Sequence, residues 1–286
     1  MRYLILLCLL TPLCTFAETS LWRVSKGESE LFIGGTIHLL GASDYPLPKE
    51  FESAYKKADM VVFETNLQAL ALPATQKELA KRVTYKGKKT LKDDLKPETY
   101  KVLADYLASS GLHIDAFNRY KAPMVMITLL MVELQRLGLA EIGVDQYFNQ
   151  KALADGKTLG ELETSKVQLS VIENMGKGHE DEMILSTIAE MKKLASIMSK
   201  MKAAWRQGDI KTLEKIGIAP MKTEYPELYQ LLLVERNNAW VPKIKALLNT
   251  AEVELVLVGA LHLVGSEGVF SQLRELGYSV ELFRGK

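Results

Sequence analysis

ELFIGGTIHLLG, residues 30–41, and ELVLVGALHLVG, residues 254–265, share one design: an apolar run followed by Gly-x-x-His-Leu-x-Gly. The runs at 31–37 and 254–258 are short, apolar and free of proline, as buried strands are. MVVF at 60–63, 157–162 and 278–283 read as three more strands. Between them the spacing turns helical: KEFESAYKKA (49–58), most of 75–150, most of 165–250, and SEGVFSQLRELG (266–277). Strands alternating with helices predict an α/β fold. A central mixed or mostly parallel sheet would carry a large helical insertion in its middle.

Ligands of open α/β sheets collect beyond the carboxyl ends of the strands. His38, Glu64, Glu163 and His262 stand where four of the apolar runs stop. If the strands are parallel neighbours, two imidazoles and two carboxylates converge. That donor set is a usual one for a catalytic divalent metal, with positions left for water and substrate. His38, His262 and Glu64 are the candidate ligands. Glu64 ends the shorter and more apolar strand, so it is ranked above Glu163. Glu163 is open to two roles, fourth ligand or general base, and the following Thr164-Ser165 also permits a helix start. Gly34, Gly35 and Gly259 would let backbone pass close to a neighbour or ligand, and Gly41 and Gly265 would turn the chain away.

The first residues, MRYLILLCLLTPLCTFA, combine Arg2, an apolar stretch too short to span a bilayer, and a small-residue site for cleavage after Ala17. Residues 1–17 are read as a secretory signal peptide and 18–286 as one α/β domain, placing the protein in the periplasm or outside the cell. A lipoprotein reading is disfavoured by Leu13 before Cys14. Both cysteines, Cys8 and Cys14, lie in this leader, so the mature chain has no disulfide, thiolate ligand or cysteine nucleophile. Losing Arg2 takes the 36 basic residues to 35, equal to the 35 acidic ones, which gives no electrostatic case for nucleic acid. The longest later apolar run, APMVMITLLMVEL (122–134), suits a buried helix rather than a stable membrane span.

Other motifs carry less. Arg236, in ERNNAW, would steady a developing oxyanion or a substrate carboxylate, or else form a salt bridge to the core. Asp145 in GVDQYF reads as a helix cap, and Gln168 is a weak site candidate. His113 and His179 sit in loop-like, polar surroundings and are left out of the site. There is no Gly-x-Ser-x-Gly nucleophile elbow and no Gly-x-Gly-x-x-Gly after a strand. The methionine-rich stretch 182–205 reads as core packing.

The chain resembles the TraB/GumN family of bacterial proteins, whose wider group includes the Tiki metalloproteases. The resemblance rests on GGTIHLL (34–40), LPKEFESAYKKADMVVFETN (47–66), GVDQYFNQKALADGKTLGELET (143–164), ERNNAW (235–240) and VGALHLVGSEGV (258–269). It implies an α/β core of the Tiki and erythromycin-esterase kind with helical insertions. It also implies metal-binding histidines at His38 and His262, an acidic site residue at Glu64 and, for Tiki-like members, divalent-metal peptidase activity.

The leading expectation is an exported hydrolase using Mn, Co, Zn or Fe to cleave a peptide or protein substrate. Glu64 and Glu163 serve the chemistry and Arg236 stabilises the oxyanion. Two rival readings stand beside it: a non-catalytic periplasmic binding or regulatory protein with the same cleft, and a metal-free ester hydrolase with His38 as base.

Overall fold

The computed structural model describes residues 19–285, so the leader at 1–17 and its cleavage site lie outside the described residues. The strands are β1 (Leu21–Lys26), β2 (Ser29–Thr36), β3 (Leu39–Leu40), β4 (Met60–Phe63), β5 (Glu141–Ile142), β6 (Thr158–Glu161), β7 (Glu254–Gly259) and β8 (Ser279–Leu282). Six of them form one sheet in the order β6-β4-β7-β2-β1-β8, and β3 pairs with β5 in a separate ribbon. The run β6, β4, β7, β2 is parallel, whereas β1 is antiparallel to both β2 and β8. The sheet is therefore mixed and mostly parallel, in an α/β protein rich in helices.

Alternation along the strands builds the two faces of the sheet. Leu21 and Gly34 are cross-strand partners, and a Cβ on Gly34 would meet the Phe51 ring at 2.7 Å and Leu257 at 2.8 Å. Only glycine lets the helix Lys49–Lys57 lie so close. On that side Phe51 packs against Phe148 of the helix Val144–Ala154 and against Trp205, with ring centroids 6.0 and 5.9 Å apart. Trp205 Nε1 also donates to Gly35 O at 2.6 Å, which ties the helical region to the strand that leads to His38. The next residue pair, Trp22 and Ile33, faces the other way, and Trp22 meets Phe270 edge-on at 4.7 Å. Burying an aromatic side chain of this kind contributes about 2–3 kcal/mol.

The helices inserted between β4 and β7 have an apolar cluster of their own. Leu103, Leu107, Val125, Leu129 and Ile184 pack together there, from the helices Pro97–Ser109, Ala122–Arg136 and Glu180–Met191. The apolar run at 122–134 is thus a packed helix, and no helix among the described residues is long and apolar enough to cross a membrane.

Two local readings change. LWRVSK, left unassigned by the pattern analysis, is strand β1; its Arg23 and Lys26 are exposed and hide the alternation of Leu21, Trp22 and Val24. Gly41 does begin a turn, the 3-10 turn Ala42–Asp44, at φ −99° and with its N–H held by Asp44 Oδ2 at 2.8 Å. Gly265 also turns the chain, in the left-handed region at φ +86°. The methionine-rich stretch divides into the helices Glu180–Met191 and Leu194–Gln207.

Candidate active site

The strand order brings the four strand-end residues to one edge of the sheet. Thr36 is in register with Gly259, and Phe63 with both Leu257 and Glu161. Pairing runs on past the strands: Leu162 N donates to Phe63 O at 2.9 Å and Glu163 N to Glu64 O at 2.8 Å. Glu64 and Glu163 therefore leave the sheet as neighbours. His262 follows β7 directly on the 3-10 turn Ala260–Leu263.

Gly259 marks the point of convergence. A Cβ there would lie 3.2 Å from Glu64 Oε1, 3.6 Å from His262 Cδ2 and 3.8 Å from His38 Nε2. The Gly259 N–H donates to Glu64 Oε1 at 2.7 Å, and His262 Nε2 lies 3.9 Å from the same oxygen. Gln168 Nε2 donates weakly to Glu64 Oε2 at 3.5 Å, so this minor candidate reaches the site's edge. His113 and His179 are exposed and pair with Asp115 and Glu227 instead.

Each imidazole is oriented from behind. Asn237 Nδ2 donates to Glu267 O at 3.0 Å, which turns Asn237 Oδ1 toward His262 Nδ1, 2.7 Å away. His262 therefore carries its proton on Nδ1 and presents the Nε2 lone pair to the site. For His38 the partner is Asp145, whose Oδ1 lies 3.2 Å from His38 Nδ1. That oxygen is buried with no formed hydrogen bond, so a proton on His38 Nδ1 is what satisfies it. Asp145 is thus not the helix cap: Gly143 holds the N-cap position. Gly143 itself is required, because a Cβ there would fall within 2.4 Å of the His38 carbonyl carbon. The β3–β5 ribbon and the Val144 N–H to Ile37 O bond of 3.1 Å clamp this crossing.

Arg236 fills the centre. Its Nε donates to both Glu163 oxygens at 3.1 Å. Nη2 donates to Glu163 Oε1 at 2.8 Å and Glu64 Oε2 at 2.6 Å. Nη1 donates to Leu232 O at 3.2 Å and to His262 Nε2 at 3.1 Å. A guanidinium has five N–H groups, and every one has a partner. Trp240 Nε1 donates to Glu163 Oε2 at 2.9 Å, and the guanidinium stacks 4.6 Å from the Trp240 ring centroid. Leu232 lies in a π-helical turn, Gln230–Val234, just before the helix Glu235–Leu247. Such turns widen a helix and recur at functional sites.

Burial raises the cost of a charge on Glu64, but His262, Arg236, His38 and the Gly259 N–H outweigh it and hold its carboxyl at about 2. Burial drives His262 down to about 3, with Arg236 and His38 adding to the effect and Glu64 opposing it. His38 is 63% exposed toward the cleft, although protein atoms crowd its other sides. That crowding lowers its pKa, but Asp145 and then Glu64 more than compensate and lift it to about 9, against the pull of Arg236.

These opposed shifts fix a pH profile for the metal-free protein. His262 has a folded pKa of about 3 against 6.5 when unfolded, so its contribution is complete above pH 6.5. It is lost as pH falls toward 3, because the unfolded chain takes the proton, at about 1.4 kcal/mol per pH unit. His38 runs the other way: its contribution is complete below pH 6.5 and is lost as pH rises through about 9. Urea unfolding of chelator-treated protein should show greatest stability near pH 6.5. His262→Gln should flatten the acid limb and His38→Gln the alkaline one, and a level wild-type profile from pH 4 to 9 would refute the assignment.

The donor chemistry suits a divalent ion. Two imidazoles offer Nε2 with Nδ1 held by an outer partner, as metal-ligating histidines usually are, and an ionised carboxylate lies beside them. Glu64, Glu163 and Asp145 outnumber the cations His38 and Arg236, so one more positive charge is accommodated. Arg236 already engages the His262 lone pair, and among the described residues no three His, Cys, Asp or Glu side chains stand at metal-ligand spacing. A metal at this position would have to draw His262 Nε2 away from Arg236.

Asn237 and Asp145 were not singled out as orienting groups from the sequence. Both lie inside quoted motifs, ERNNAW and GVDQYF, but no periodicity shows that one faces His262 and the other His38. No curated protein and no solved structure matches the chain. The model of the TraB/PrgY/gumN family matches residues 20–282, which include both Gly-x-x-His motifs, both glutamates and Arg236, and the chain belongs to that family.

Proposed function

We propose that this protein is an exported, divalent-metal-dependent hydrolase of peptide bonds, built on a Tiki-like core. The observation that carries the reading is the convergence of His38, His262 and Glu64 at Gly259, with both imidazoles oriented from behind. His38, His262 and Glu64 would hold the ion, which supplies Lewis acidity toward a scissile carbonyl and lowers the pKa of a bound water. Nitrogen and oxygen donors without thiolate fit Mn, Co, Zn or Fe.

The chain's own residues perform the rest. Asp145 keeps the His38 Nδ1 proton in place, so that Nε2 is the atom that gives up its proton when a cation binds. Asn237 holds the His262 proton on Nδ1, which leaves the Nε2 lone pair for the cation. Glu163 is spent on Arg236 and Trp240, which makes it a positioning residue rather than a base or ligand. With His262 Nε2 drawn to the ion, the Arg236 Nη1–H it leaves would be free to donate where negative charge would build up on a carbonyl oxygen. Glu64 stays ionised at neutral pH and competes with no proton.

A second reading has one observation in its favour. The His38–Asp145 pair, open to the cleft, resembles the base of a metal-free hydrolase. A His38 pKa of about 9 keeps the ring mostly protonated at neutral pH, however, which weakens it as a base. Elemental analysis of the purified mature protein, wild type beside His38→Ala, separates the two. About one equivalent of metal in wild type, little in the variant, and chelator-sensitive cleavage of a diverse peptide library are expected. Cleavage that persists in metal-stripped protein would sink the reading.

A further inference from the structure

A cleft of about 180 Å3 opens beside His38 and Glu64, and whatever fills it touches the proposed reacting centre. Its other walls include Thr36, Thr65, Phe63, Leu67, Leu70 and Leu257. Three observations distinguish it from a surface dimple.

The first is a concentration of unmet polar groups. Six side-chain atoms among the described residues are buried without a hydrogen-bond partner, and three of them, Thr36 Oγ1, Thr65 Oγ1 and Asp145 Oδ1, belong to residues lining this cleft. Asp145 has His38 beside it, but the two hydroxyls have nothing. Thr36 and Thr65 are each 3% exposed, so bulk water does not satisfy them. A buried hydroxyl without a partner is costly and calls for one. Threonine χ1 has three staggered wells, so each hydroxyl can re-aim without moving the backbone.

The second is a pair of leucines without a core. Leu67 and Leu70 lie on one side of the helix Leu67–Ala71, none of whose residues is buried. Both line the cleft, facing Phe63 and Leu257 of the sheet edge. The third is size: a cavity of about 150 Å3 accepts a benzene-sized guest, whereas drug-sized ligands need about 300 Å3 or more. This cleft holds one side chain.

We propose that the cleft is a specificity subsite for a single leucine-sized aliphatic side chain of a peptide substrate. The Thr36 and Thr65 hydroxyls would hydrogen-bond the main-chain amide of that same residue. The inference rests on the peptidase reading for its substrate class, but its test needs no turnover. Acetyl-X-methylamide probes with X as Leu, Ala, Lys or Trp are titrated into whole mature protein, and binding is followed by NMR chemical-shift perturbation. The Leu probe should bind about tenfold more tightly than the other three, in line with the discrimination an apolar pocket gives per added carbon. Leu70→Trp fills the cleft and should erase that preference. Thr65→Val keeps the shape and should weaken the Leu probe about three- to tenfold while leaving the order of probes intact. If Leu70→Trp does not fold, Leu70→Ala decides, by admitting the Trp probe about as well as Leu.

Equal binding of Leu and Ala, a preference for Lys, or a Leu preference that survives Leu70→Trp would overturn the subsite. Leu-selective binding with no peptide cleaved by metal-loaded protein would instead remove the hydrolase reading and leave the subsite standing. Cleavage without side-chain preference would do the reverse.

Discussion

Arg236→Met should destabilise the folded protein by about 3–5 kcal/mol, the cost of breaking a buried ion pair by removing one partner. Arg236 is 9% exposed and Glu163 5%. The substitution keeps the bulk of the side chain but removes every donor to Glu163 except Trp240 Nε1, and it takes from Glu64 its closest cation. Burial alone would weaken the arginine's hold on its proton, but Glu64 and Glu163 reverse this and raise its pKa further. Denaturant unfolding at pH 7 reads the loss as a lower midpoint with an unchanged slope. The double variant with Glu163→Gln should recover about 1–3 kcal/mol, because the stranded charge goes with its partner. A single variant within about 1 kcal/mol of wild type would mean that water reaches the network and that Arg236 is free to serve the chemistry alone.

Glu64→Gln should weaken divalent-metal affinity at least about a hundredfold, more than the ten- to hundredfold that losing an outer-shell partner costs. Glu64 Oε1 lies 3.9 Å from His262 Nε2, and its charge is present at all working pH values because its pKa is held at about 2. The amide keeps the shape and can still accept the Gly259 N–H, but it offers no charge. Its NH2 would face the Arg236 donors in place of an acceptor. Glu163→Gln should lower affinity about tenfold or less, since both its oxygens face Arg236 and Trp240 rather than His38 or His262. Titration calorimetry with Mn2+ and Zn2+ on both variants measures the difference. Tight binding by Glu64→Gln together with weak binding by Glu163→Gln would reverse the ranking of the two carboxylates.

The strands that carry His38, Glu64 and His262 are legible because each is a compact apolar run ended by a polar residue, whereas β6, before Glu163, is a short end strand with no buried residue. That pattern is local, and a buried parallel strand has no other way to be written. The helix at 49–57 is legible from the helical spacing of its apolar residues, and the partly buried helix at 122–136 from its apolar run. Strand β1 is not, because two exposed basic residues interrupt its six.

What the sequence by itself determined is the α/β class, the membership carried by its motifs, and the short list of side chains that end the strands. Only the tertiary structure decided what each does. The order β6-β4-β7-β2 sets β4 beside both β6 and β7, so that two glutamates and two histidines from distant parts of the chain share one edge. The helix Val144–Ala154 crosses at Gly143 and delivers Asp145 to His38; the helix Glu235–Leu247 delivers Asn237 to His262 and Arg236 to the glutamates. A carboxylate is a ligand, a base or an anchor according to what stands within about 3 Å of it. That distance is set by the packing of elements far apart in the chain, which no local pattern of residues records.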